Sequence, residues 1–80
     1  MRIFFGKTHR YRFGKVKIKS RYPLTEEQIT SIINIVNQVM DYGYYEPCRE
    51  IAKQIYDDMR PHIKVVEVHI TWRSLNVKIS

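Results

Sequence analysis

Lys15, Lys17 and Lys19 stand at every second position of the run KTHRYRFGKVKIKSR, residues 7–21. A spacing of two places side chains on one side of an extended strand. Three ammonium groups in a row, flanked by Arg10, Arg12 and Arg21, are suited to neutralising phosphates. Tyr11 and Phe13 lie among the arginines, and rings interleaved with cations suit stacking on unpaired bases. The same lysines could merely blunt a strand edge against aggregation. Residues 1–22, however, hold eight Lys and Arg and no carboxylate, which exceeds what edge protection requires. With Lys7 at the start of the run and Lys78 near the C-terminus, the candidate nucleic-acid-binding set is Lys7, Arg10, Tyr11, Arg12, Phe13, Lys15, Lys17, Lys19, Arg21 and Lys78. The expected partner is nucleic acid, with RNA or single-stranded DNA favoured over duplex, or an acidic protein surface.

The positive charge is segregated. The chain carries a net +6, yet residues 23–60 hold seven carboxylates against Arg49, Lys53 and Arg60. A basic N-terminal third and an acidic middle point to an anionic partner, without specifying a fold.

Other reactive groups have blander readings. His9, His62 and His69 lack metal-ligand spacing. Cys48 falls near a helix start, where a thiolate is favoured, but also on an apolar stripe, so a buried core role is expected. Asp57 and Asp58 are adjacent, and neighbours on a helix point about 100° apart, so they do not form one paired site. A helix-turn-helix reading fails because its recognition helix would carry Glu46, Glu50, Asp57 and Asp58 against phosphates. No glycine-rich phosphate loop is present. No catalysis, metal or cofactor is expected. Tyr42, Tyr44 and Tyr45 crowd one short connection, and tyrosines so placed suit a protein contact or self-association.

Eighty residues make one domain, residues 1–80, with 44% hydrophobic content in the globular range. A single cysteine excludes an internal disulfide framework and fits a reducing compartment. With no signal peptide or membrane-length apolar run, the expectation is a cytoplasmic protein, of a cell or of an infected host.

The elements that must position the lysines follow from periodicity. Residues 2–6 suggest a strand, 7–11 (KTHRY) a connection, and 12–20 a second strand with Val16 and Ile18 opposite the lysines. Thr25 with Gln28 forms a capping box for a first helix, striped by Ile29, Ile32, Ile33, Val36 and Met40 and stopped at Gly43. A second helix starts near Glu46, with Cys48, Ile51, Ala52, Ile55 and Met59 inward, and ends before Pro61. Residues 64–72 and 75–80 alternate as two strands around a turn at Arg73 and Ser74. Their inward sets are Val66, Val68, Ile70 and Trp72, then Leu75, Val77 and Ile79. The inward faces of the first two strands add Ile3 and Phe5. The expectation is an α+β two-layer sandwich, order β-β-α-α-β-β: a four-stranded, mainly antiparallel sheet with two antiparallel helices on one face. Lys15, Lys17, Lys19, Glu67, His69, Thr71, Asn76 and Lys78 would then occupy the open face.

This order resembles the tunnelling-fold unit of pterin- and purine-handling enzymes, and EPCREIAKQIYDDMRPHIKVVEVHI has the rhythm of that family's second helix and third strand. The resemblance implies an antiparallel sheet joined edge to edge between subunits. The family's zinc-binding histidine cluster and pterin-anchoring Glu have no counterpart in the sequence, so it implies no site residue. The functional expectation is a small, non-catalytic nucleic-acid-binding protein with an accessory or regulatory role. The alternative is a protein–protein interaction module, such as a phage, viral or mobile-element inhibitor or adaptor, whose basic hairpin docks on a larger machine.

Overall fold

The computed structural model describes residues 5–11, 14–71 and 74–80, with side chains described for 14–71 and 74–80. Its elements are β1 (Phe5–Tyr11), β2 (Gly14–Ser20), α1 (Glu26–Tyr42), α2 (Pro47–Met59), β3 (Val66–Thr71) and β4 (Ser74–Ile79).

The first helix begins where the capping box requires. Thr25 Oγ1 accepts from the Gln28 N–H at 3.1 Å, and Gln28 Oε1 accepts from the Thr25 N–H at 2.9 Å. Two of the amides left over at the helix start are thereby satisfied. Glu26 and Glu27 occupy the first turn, where the helix dipole favours negative charge. At the other end Gly43 is left-handed, φ +81°, and its N–H donates to Val39 O. A Cβ there would meet nothing within 4 Å, so any substitution penalty is one of backbone conformation. Pro47 opens α2, and extended Arg60, before Pro61, closes it.

The two helices are antiparallel: Ser31 of α1 donates to Asp58 Oδ2 of α2 at 3.1 Å, near the ends remote from their short connection. Ile32, Val36 and Val39 of α1 and Ile51, Ile55 and Met59 of α2 are buried against Val16, Ile18, Val68, Leu75, Val77 and Ile79 of the sheet. The α1 stripe is rotated slightly from expectation. Val39 and Ile35 take part in the packing, while Ile33 is half-buried outside the core cluster. Cys48 is only half-buried, packed against the core rather than within it. Ile63, in the connection to β3, is buried and was not expected.

The expected sheet requires correction. The body of it that carries the described core is three-stranded and mixed, running β-α-α-β-β in chain order, with β4 inserted between β2 and β3. Backbone pairing adds β1 outside β2, so the full order is β1-β2-β4-β3. β2 and β4 are parallel, whereas β1–β2 and β3–β4 are antiparallel. A mainly antiparallel sheet, and the antiparallel unit implied by the tunnelling-fold resemblance, are both overturned by this central parallel pair. The direction of β4 has a simple cause. Each short connection after β2 reverses the chain, so two helices and one strand later β4 runs the same way as β2.

The KTHRY segment is not a connection: β1 extends through it and pairs up to Tyr11↔Gly14. Residues 12 and 13, expected to open the second strand, lie outside the described residues. Ile3 and Trp72 likewise lie outside them. β3 and β4 pair up to Thr71↔Ser74, which places Ser74 in the strand rather than in the turn. Of the expected inward residues of β3, Val68 is buried, Val66 is half-buried and Ile70 is 49% exposed. β3 is an outer strand with a neighbour on one side only, so its inward face is incompletely covered.

Truncating Leu75, fully buried beside Val16, is expected to cost about 2–5 kcal/mol. Thr25→Ala removes one cap and is expected to cost about 1 kcal/mol. Urea denaturation of the two variants checks this order; a smaller loss for Leu75→Ala than for Thr25→Ala would contradict the packing described.

Candidate nucleic-acid interface

Opposite the helices, the open face of the sheet is a grid set by strand register. Lys15 of β2 is level with Ser74 of β4 and Thr71 of β3. Lys17 is level with Asn76 and His69, and Lys19 with Lys78 and Glu67. The burial alternation of β2 places Lys15, Lys17 and Lys19 outward and Val16, Ile18 and Ser20 inward. Successive lysines are thus about 6.8 Å apart along the strand, twice the rise per residue.

The face is electrostatically one-sided. None of Lys15, Lys17 and Lys19 has an acidic partner among the described residues. Lys19 and Lys78 are direct cross-strand neighbours, a like-charge juxtaposition that works against folding. Glu67, level with Lys78 on β3, is the carboxylate of this grid. Arg21 follows at the end of β2, exposed, with its N–H donating to Ile79 O at 3.0 Å.

The polar half of the grid is organised by hydrogen bonds. Asn76 Nδ2 donates to Thr71 Oγ1 at 3.2 Å. Thr71 Oγ1 and Ser74 Oγ share a 2.7 Å hydrogen bond. Because Thr71 accepts from Asn76, its own proton is available to Ser74. Between these groups and the lysines lies a shallow pocket of 290 Å³, lined by Lys17, Lys19, His69, Asn76, Val77 and Lys78. The Val77 side chain is buried in the core, so Val77 offers the strand backbone to the pocket floor.

The structure brings together Lys15, Lys17, Lys19 and Lys78 of the sequence-derived set. Lys7, Arg10 and Tyr11 fall in β1, whose backbone register alone is described: Arg10 is level with Lys15, Lys7 with Ile18 and Tyr11 with Gly14. Arg12 and Phe13 lie outside the described residues. Strand phase puts His69, Thr71 and Asn76 on the open face, outside the expected binding set. The convergence of His69 and Asn76 with Lys17 on one pocket depends on the β2–β4 pairing, which alternation does not reveal.

Elsewhere, His62 is exposed in the connection to β3. Among the described residues, no cluster of His, Cys, Asp and Glu could hold a metal ion. Tyr42 and Tyr45 are 76% and 99% exposed at the helix–helix connection, and the Tyr42 and Tyr44 rings lie 4.5 Å apart. Among the described residues, no helix is long and apolar enough to cross a membrane. No family model, curated protein or solved structure matches the chain.

The Lys19–Lys78 juxtaposition makes a stability prediction. Lys19→Ala should raise the denaturation midpoint at low salt, and the gain should shrink as salt screens the repulsion. A clear fall in the midpoint would show instead that Lys19 supports the fold.

Proposed function

We propose that this chain is a small non-catalytic protein that binds single-stranded nucleic acid, RNA or DNA, through the open face of its sheet, in an accessory or regulatory role. The observation that carries this reading is the alignment of Lys15, Lys17, Lys19 and Lys78 on one uncovered face, including a like-charge pair that folding does not favour. Exposed cations in a row provide sites for successive phosphates along a backbone. His69 adds a ring on the same face, and rings beside cations suit bases that are free to stack. The helical layer, with Glu26, Glu27, Asp57 and Asp58 exposed, would repel the same backbone, so binding is one-sided.

Fluorescence anisotropy with labelled single-stranded RNA, single-stranded DNA and duplex, at two salt concentrations, tests the proposal. Each lysine–phosphate contact on a single strand should contribute about −0.7 to the slope of log affinity against log salt. The triple variant Lys15→Ala/Lys17→Ala/Lys19→Ala should therefore flatten that slope by about 2. Absence of salt-sensitive binding at micromolar protein would overturn the reading.

A second reading, a protein-interaction module, draws on the exposed tyrosines. Tyr44 and Tyr45 offer ring surface beside Glu46 and Glu50, and tyrosine is enriched where proteins meet. In this reading the lysine face would take carboxylates instead of phosphates. Capture of a partner that survives nuclease treatment and is lost in the triple lysine variant would favour it.

A further inference from the structure

The pocket between β2, β4 and β3 carries two kinds of chemistry in one small space. At 290 Å³ it lies just below the lower end, about 300 Å³, of clefts that enclose whole small ligands. It is therefore sized for one ring-sized group of a longer chain. Lys17, Lys19 and Lys78 form one side, and His69 and Asn76 the other.

Asn76 is half-buried and its amide is oriented. Nδ2 is held by Thr71 Oγ1, which is itself tied to Ser74. Oδ1 has no partner among the described residues. The group that the amide leaves for a ligand is thus an acceptor, and an acceptor selects a donor. Adenine and cytosine carry an exocyclic amine at a base edge, a donor with open access. Uracil and thymine offer one imide N–H flanked by two carbonyl oxygens, which would confront Oδ1 with like partial charge.

Resting on the nucleic-acid reading above, we infer that this pocket is a one-nucleotide subsite that prefers adenine or cytosine over uracil or thymine. The base stacks on His69, its amine donates to Asn76 Oδ1, and the adjoining phosphates lie on Lys17 and Lys19. Thr71 is a positioning residue: it aims the amide without touching the base. The lysines supply affinity for any sequence, and the amide supplies the choice.

The test uses the full chain and short homopolymer oligonucleotides of A, C and U in RNA, and of A, C and T in DNA. Wild type should bind A and C several-fold more tightly, on the order of fivefold, the worth of one good hydrogen bond. The preference should be the same in RNA and DNA, because the contact is to the base. Asn76→Ala should abolish it by weakening A and C while leaving U unchanged. Thr71→Ala, which releases the amide without removing it, should narrow the gap. Lys17→Ala should weaken all homopolymers alike. Salt-sensitive binding with no base preference, or a preference for RNA over DNA regardless of base, would overturn this inference and leave the proposed function standing. No binding to any oligonucleotide would overturn both.

Discussion

The parallel pairing of β2 with β4 is the constraint on which the rest of the structure depends. It sets Val16 beside Leu75, Ile18 beside Val77 and Ser20 beside Ile79, and all six are buried. Those contacts form the centre of the core on which both helices lie. Because strand side chains alternate, the same register sets the other face: Lys15 beside Ser74, Lys17 beside Asn76 and Lys19 beside Lys78. Core and candidate site are therefore two sides of one ladder. A slip by one residue would expose the first and bury the second.

That coupling explains how a small protein can display a concentrated charge. Lysines crowded on a face repel one another, and an isolated hairpin so charged would have little to oppose the repulsion. Here β2 and β4 sit inside the sheet, each with a strand on both sides, and all of their inward residues are buried. The apolar side of the ladder holds the charged side in place. The helices complete the separation by carrying most of the carboxylates, at positions remote from the lysine face. Their N-terminal ends account for part of this, since Glu26, Glu27 and Glu50 occupy first turns where the helix dipole favours them.

Much of this was legible in the sequence, and what was not has physical causes. Alternation in KVKIK separates Val16 and Ile18 from the three lysines, because period two is a local property of a strand. Thr25 and Gln28 mark a helix start through contacts only three residues apart. Neighbour choice in a sheet is not local. Short connections determine that β3 opposes β2 in direction and β4 follows it, but alternation does not say which of the two docks on β2. The antiparallel expectation failed at that point, and with it the neighbours of Lys17 and Lys19. The exposure of Ile70 follows from the same choice, since it is the outer strand that is left partly uncovered. The KTHRY segment reads as a connection because it lies between two strand-like runs; its partners in β2, from Gly14 to Ile18, supply the pairing that its own pattern does not announce. The selectivity inferred for the pocket is hidden from the sequence for a related reason. Asn76 reads as an ordinary outward strand residue until Thr71 and Ser74 are seen to hold its amide.

The central claim is that the β2–β4 face, and not the helical layer, meets the nucleic acid. Mapping amide chemical-shift changes by NMR, as an unlabelled single-stranded oligonucleotide is added to labelled protein, tests it most directly. The account predicts changes concentrated at Lys15, Lys17, Lys19, Asn76, Lys78 and His69, with the outward residues of α1 and α2 unmoved. Changes centred on Tyr42, Tyr44 and Tyr45, or a spectrum that does not respond, would contradict it.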